Sequence, residues 1–258
     1  MPSPHDPAPV SRRTATVPVV VAIVAALVAA FTFLAARSSD AEPAASQGRT
    51  QTSSRAPERA TSPKAAPKSE EAPQVPSALA RRAPGDPMAR GDVDAPVVMV
   101  NFSEFQCPFC GKFARDTEPD LVRKYVNNGT LRIEWRDFPY LGEESYTAAL
   151  AGRAAAEQDG FWEFHDAMYA EQSPPNSGAL TVDHLVAVAE SVGLDGDRLR
   201  TDMRDPALAA GIRKDFQEGQ SIGVSGTPAF LINGRPVIGA QPAKVFRQAI
   251  EQAAAEAS

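Results

Sequence analysis

The sequence predicts an α/β domain: a central sheet with helices on both faces and a helical block inserted into it, preceded by a transmembrane helix and a disordered tether. Three observations lead there. After Gly91 the apolar pattern runs strand–helix–strand, then helices, then strand–strand–helix. The two cysteines of the chain, Cys107 and Cys110, stand where the first strand turns into the first helix. Residues 14–36 carry no charge, and residues 37–90 carry almost no large apolar side chain.

Taken in order, residues 1–13 read as a cytoplasmic tail ending in Arg12-Arg13. Residues 14–36 follow without a polar face, unlike a helix of a soluble core. About twenty apolar residues suffice to span a bilayer as a helix. The Arg pair on the N-terminal flank places the tail inside and the rest outside. The expected localisation is therefore the cell membrane, single-pass, with the folded domain extracytoplasmic. A cleaved signal peptide ending near Ser39-Asp40-Ala41 is the competing reading, although the apolar stretch exceeds a usual signal core. Either way the bulk of the chain lies where disulfides persist. Residues 37–90 are rich in Ala, Pro, Ser, Thr and Gln and contain no aromatic residue. Such a segment cannot bury enough apolar surface to offset its ordering entropy, and it reads as an extended tether. A wall-spanning or glycosylated segment fits the same composition.

Residues 91–258 are long enough for one well-buried domain. They hold 15 Lys/Arg against 25 Asp/Glu, a formal charge of −10, which argues against a nucleic-acid partner. Residues 95–102 form an apolar run and predict a buried strand. Residues 111–128 predict a helix, with Phe113, Leu121, Val122 and Tyr125 as its apolar positions, a break at Pro119 and a stop at Asn128-Gly129. Residues 131–136 alternate apolar and polar and predict a half-buried strand. This β–α–β unit calls for parallel strands. From about residue 140 to 222 the pattern is helical. It includes an Ala-rich stretch at 145–158, the aromatic stretch 161–169, a helix capped by Thr181, and two short helices divided at Asp205-Pro206. Residues 229–232 predict a strand, Asn233-Gly234 a type I′ hairpin turn, and residues 236–238 a return strand whose Pro suits an edge. A helix from Pro242 to Ala255 closes the domain.

The chemistry of the cysteines follows from their placement. Cys107 lies at a helix N-terminus, where unpaired backbone N–H groups and the helix dipole favour an anion and lower a thiol pKa. Pro108 falls at the first helical position, where its missing N–H costs nothing. Cys110 is one turn on, on the same face and within disulfide reach. Cys107 is the expected attacking thiol and Cys110 the resolving one. A structural disulfide or half of a zinc site are the alternatives. Zinc wants four ligands, and beyond the two cysteines only His5, His165 and His184 could supply nitrogen. No metal and no cofactor is expected.

Four stretches carry a family resemblance: Val100-Asn-Phe-Ser-Glu-Phe-Gln-Cys-Pro-Phe-Cys110, Arg136-Asp-Phe-Pro139, Phe161-Trp-Glu-Phe-His-Asp166 and Gly223-Val-Ser-Gly-Thr-Pro-Ala-Phe230. Together they resemble the bacterial DsbA-type thiol–disulfide oxidoreductases, a thioredoxin-like fold with an inserted helical subdomain. Membrane-tethered members of that family resemble the full arrangement. The resemblance implies an enzyme that forms disulfides in exported client proteins and is recycled by a quinone-linked membrane oxidant. It also implies that Pro228 is cis, facing the cysteines, and that Thr227 offers backbone hydrogen bonds to a substrate strand. Two departures stand out. The buried carboxylate often found six residues before the first Cys is here Asn101. Glu104 is the nearest acid that could replace it, unless it is merely solvated. The residue before Cys110 is Phe109 and not a His that could hold a thiolate by charge, so a less oxidising potential is expected than with Pro-His. A reductase or isomerase of the same fold, or a tethered chaperone-like domain with a static disulfide, are the rival functions. His165, on an apolar helical face, reads as structural rather than as a base. Phe161, Trp162 and Trp135 read as core. Phe105 and Phe109 flank the thiols, either lining a client surface or buried.

Overall fold

The computed structural model describes residues 79–258. The expected tail, anchor and most of the tether lie outside the described residues. Among the described residues no helix is long and apolar enough to cross a membrane.

The strands are β1 (Ala89–Arg90), β2 (Val97–Ser103), β3 (Leu131–Asp137), β4 (Ala229–Ile232) and β5 (Arg235–Ile238). They form one sheet in the order β1-β3-β2-β4-β5. β2 and β3 run parallel, as a β–α–β unit requires; the other pairs are antiparallel. Between β2 and β3 lie α1 (Pro108–Asp116) and α2 (Glu118–Leu121), the latter running into a π turn at Val122–Val126. The break expected near Pro119 divides the helix expected over 111–128 into two pieces. Pro119 cannot accept helical packing against the carbonyl four residues back, so the chain leaves helical geometry at Thr117 (φ −120°, ψ −50°) and restarts with Pro119 in its first turn. The insertion comprises α3 (Glu143–Ala156), α4 (Phe161–Ala170), α5 (Val182–Ser191), α6 (Gly196–Asp202) and α7 (Pro206–Ser221), and α8 (Ala243–Glu256) closes the chain. The Thr181 hydroxyl caps α5 by accepting from the His184 N–H, and Asp205 caps α7. Asn233 (φ 45°) and Gly234 (φ 84°) turn β4 into β5, with both central residues in the left-handed region a type I′ turn needs.

The sheet separates two cores. Val97, Met99, Leu131, Ile133, Phe230 and Ile232 pack on Phe113 of α1 and Phe246 and Ile250 of α8. On the other face Val98, Val100, Phe102 and Leu231 meet Phe138, Phe216 and Leu79. β3 was expected to be half-buried, yet all seven of its residues are buried. Its polar half, Arg132, Glu134 and Arg136, faces α7 and the segment before β1 instead of water.

That segment also corrects the tether boundary. The fold does not begin at Gly91. The backbone N–H groups of Arg81 and Arg82 donate to Glu134 at 2.9 and 2.8 Å. Arg82 reaches the carbonyls of Val93 and Ala95, and β1 pairs with β3. Composition marks residues 79–90 as unable to form a core of their own; they are ordered because they supply polar partners to an existing one.

Candidate redox site

The site begins with the end of β2. The strand delivers Glu104, Phe105 and Gln106 into a tight loop, and Cys107 (φ −69°, ψ 118°) becomes the N-cap of α1 with Pro108 at its first position. The first turn of α1 carries no acidic side chain, so nothing there competes with an anion for the helix N-terminus. The Gly111 N–H donates to the Cys107 carbonyl at 3.1 Å, closing the first turn. Both thiols are free and buried, with Cys107 2% exposed and Cys110 1%.

The two sulfurs differ in electrostatics. The Cys107 thiol is lowered to about 6, first by a hydrogen bond from the Cys110 thiol, then, against the cost of burial, by the Thr227 side chain and the backbone N–H groups of Cys110 and Phe109. The Cys110 thiol is held well above its ordinary value by burial first and by the neighbouring Cys107 second. One thiol therefore ionises near neutrality and the other stays protonated, the split a nucleophile and a resolving thiol require.

Across the site, the Thr227–Pro228 peptide is cis. Protonated Cys107 donates from Sγ to the Thr227 carbonyl at 3.2 Å, and the Thr227 hydroxyl is buried without another partner. Thr227 and Pro228, 120 residues along, are thus brought onto the thiols. Of the two flanking aromatics, Phe109 is 63% exposed, whereas Phe105 is buried. Phe105 packs on Trp135 (5.3 Å), Tyr169 (5.5 Å) and Phe164 (5.7 Å). It also lies against Gly152, where a Cβ would stand 2.9 Å from its ring; that glycine lets α3 approach the redox loop.

Glu104 is buried and accepts from the Ser145 hydroxyl. Burial raises its carboxyl to about 7, opposed by that bond and reinforced by Cys107. Asn101 is buried with its carbonyl oxygen unpartnered. His165 lies in a cage of Phe105, Trp135, Phe161, Trp162 and Tyr169, its Nδ1 2.7 Å from Asp166. It is a histidine packed among aromatic rings. Trp135 and Phe161 are core, while half-buried Trp162 carries the Arg90 guanidinium 3.6 Å from its ring centroid.

Three residues escaped the sequence reading. Gln172 donates to the carbonyls of Phe105 and Cys107 at 2.8 and 2.9 Å, tying the insertion to the redox loop. The Tyr169 hydroxyl donates to the Glu104 carbonyl at 2.7 Å. Tyr140 stands exposed beside Thr227, its hydroxyl raised by burial and by the charge of Cys107. Each acts on a group more than 30 positions away, and no local pattern marks such a contact. Among the described residues no group of His, Cys, Asp and Glu could hold a metal ion.

Comparison with known proteins agrees with this geometry. The family model described as Thioredoxin matches residues 83–252. The chain is 38% identical to a Na(+)/H(+) antiporter NhaA 3 of Salinispora tropica over 148 residues, covering 57% of this chain and 21% of that protein. It thus spans about a fifth of the antiporters it matches. It is 30% identical to a probable disulfide bond formation protein D of Bacillus anthracis over 148 residues, 56% of this chain and 68% of that one. Among solved structures, oxidised BdbD from Bacillus subtilis superposes with a TM-score of 0.62 at 24% identity, over 66% of this chain and 94% of that one; this is a likeness of fold. A thioredoxin-like oxidoreductase from Silicibacter pomeroyi gives 0.58 at 29% identity, over 66% and 93%. The chain belongs to the thioredoxin family, and it is similar to disulfide bond formation protein D over most of that protein's length.

Proposed function

We propose that this protein is a thiol–disulfide oxidoreductase that forms disulfides in exported proteins through Cys107-Pro108-Phe109-Cys110. The observation that carries this reading is the unequal pair at the N-terminus of α1: a Cys107 thiol that ionises at about 6 beside a Cys110 thiol held protonated. In the oxidised enzyme a client thiolate attacks Cys107 Sγ, and the Cys107–Cys110 bond breaks with its electron pair going to Cys110. A second client thiolate then attacks the client sulfur of the mixed disulfide. Cys107 leaves as a thiolate, which its low pKa favours. The client ends two electrons poorer, and the Cys pair holds them. No prosthetic group enters the scheme. The cis Thr227–Pro228 peptide beside the pair supports a role for Thr227 in binding a client strand, with exposed Phe109 as apolar surface next to Cys110.

The apolar stretch 14–36 after Arg12-Arg13 supports an extracytoplasmic setting with the domain tethered to the membrane, where a quinone-linked membrane oxidant would restore the disulfide. The test is Cys110→Ser, which removes the resolving thiol. Mixed disulfides between Cys107 and client proteins should accumulate in the cell envelope and disappear on reduction. Absence of any trapped client from a folded variant would overturn the reading. A pair found mostly reduced in cells would turn it toward the reductase.

A further inference from the structure

The redox loop is held from outside, by the helical insertion. Carbonyls along Glu104–Cys107 accept from side chains at least 65 positions further along the chain. Tyr169 takes the Glu104 carbonyl, and half-buried Gln172 takes those of Phe105 and Cys107. Gln172 Nε2 lies 2.8 Å from the first oxygen and 2.9 Å from the second, which uses both donors of its carboxamide. The Cys107 carbonyl also accepts from the Gly111 N–H at 3.1 Å, so both its lone pairs are filled. The loop's own closing bond, from the Cys107 N–H to the Glu104 carbonyl, is long at 3.4 Å.

Gly111 makes the fit possible. It lies inside α1 and outside the left-handed region, so its backbone does not call for glycine, which is a poor helix former. A Cβ at this position would run into Gln172 Oε1 and stand 3.0 Å from Gln172 Cδ. The carboxamide occupies the space that any other side chain at 111 would take. Gln172 thus lies against the first turn of α1 on one side and the redox loop on the other.

That contact controls a torsion the reaction depends on. Cys107 is the N-cap of α1, and its ψ of 118° sets how the helix is carried relative to its sulfur. Pro108 has no N–H and a fixed φ, so the Cys107–Pro108 peptide can be anchored only through the Cys107 carbonyl. Holding that oxygen fixes the angle at which the N–H groups of Phe109 and Cys110 meet Sγ, and those groups favour the thiolate. We propose that Gln172 is a positioning residue of disulfide exchange: by holding the Cys107 carbonyl from the insertion, it aims the first N–H groups of α1 at Cys107 Sγ and so sets that sulfur's strength as nucleophile and leaving group. The inference rests on the oxidoreductase reading above. Gln172 gives up no proton and touches no reacting atom, so the balance of the exchange is unchanged. The titratable groups facing Cys107 are Cys110 from α1, Glu104 from the loop, Tyr140 from before α3 and Tyr169 from α4; a change at Gln172 leaves all of them in place.

The test is Gln172→Met in the full protein, a side chain of similar size without a donor. Two quantities are read: the pH midpoint of Cys107 alkylation by iodoacetamide, and the equilibrium with glutathione. The midpoint, about 6 in the parent protein, should rise by about one pH unit, as expected when one hydrogen bond to a charged group is misaligned. A less favoured thiolate leaves the reduced form less stable, so at pH 7 the glutathione equilibrium should move about fivefold toward the disulfide form. A bond that only tied the insertion down would lower stability and leave both readings where they were. That result in the folded variant overturns the inference and leaves the oxidoreductase reading intact; no exchange with glutathione in the parent protein overturns both. Should Gln172→Met not fold, Gly111→Ala decides. It strengthens the helix and drives the carboxamide off the loop, so the midpoint should rise by a similar amount, and an unmoved midpoint is fatal to the proposal.

Discussion

Two of the regions that bury charge in this domain do it in opposite ways. On the far face of the sheet four guanidinium groups, from Arg81, Arg132, Arg136 and Arg153, meet four carboxylates, from Glu134, Asp137, Asp215 and Glu218. Glu134, fully buried, accepts from two backbone N–H groups and from Arg132 (3.0 Å) and Arg136 (2.8 Å). Asp215 is bridged by Arg81 and Arg153. Arg153 also holds Asp137, and Arg81 and Arg136 share Glu218. At the redox site, by contrast, Glu104 Oε1 is buried and unpartnered. A matched network joins four chain segments. An unmatched one leaves a thiol and a carboxyl able to change protonation near neutrality, which is what proton-coupled exchange needs.

The largest expected effect breaks the matched side. Glu134→Ala strands two arginines and two backbone N–H groups, and removing one partner of a buried ion pair costs about 3–5 kcal/mol. Urea unfolding should register that loss, while the pH midpoint of Cys107 alkylation in the folded variant stays near 6. A shift of that midpoint would mean that the two regions are coupled through the sheet.

Next in size is the pH dependence of stability on the unmatched side. Cys107 ionises at about 6 in the fold and at about 8.5 in an unfolded chain. Its ionisation therefore stabilises the folded reduced protein fully above the unfolded value, and the gain is lost as pH falls through the folded one. Glu104, raised to about 7, acts in reverse: its contribution is present below the ordinary carboxyl range and fades as pH rises to 7. Between about pH 7 and 8 the Cys107 gain dominates, before ionisation of Cys110 in the unfolded chain, whose folded thiol stays protonated, begins to offset it; there the reduced protein should gain stability over the oxidised one as pH rises. Thermal unfolding of both forms measures this; a difference that is flat or falls with pH would contradict the assignment.

The smallest effect sharpens the contrast within the site. Phe109 is exposed at the tip of α1 and offers no charge to the thiolate. Phe109→His should lower the Cys107 pKa further and make the potential more oxidising, as read by the glutathione equilibrium, without altering stability in the oxidised form. An unchanged or more reducing potential would show that this position does not tune the sulfur.

Much of the fold was legible from local signals. The hairpin at Asn233-Gly234, the cap at Thr181, the helix boundary at Asp205-Pro206 and the strand before Cys107 each depend on residues within a turn of one another, where backbone sterics and short hydrogen bonds decide. The alternation in β3 gave the strand and misread its burial. Period 2 says which residues share a face; it does not say whether that face meets water or an array of opposite charges. The helix break fell at Thr117, two residues before Pro119, because the clash of a proline ring lies behind it in the chain.

By itself, then, the amino-acid order determined the redox pair. A helix N-terminus, a proline at its first position and a second sulfur one turn on are all local, and they favour ionisation of Cys107. Only the tertiary structure decided what surrounds that pair. It brought Thr227 onto Cys107, enclosed Glu104 with one oxygen unpartnered, and pulled residues 79–90 out of a polar tether and onto the sheet. Those outcomes depend on desolvation and on partners scores of residues away, and such partners exist only once the chain has packed.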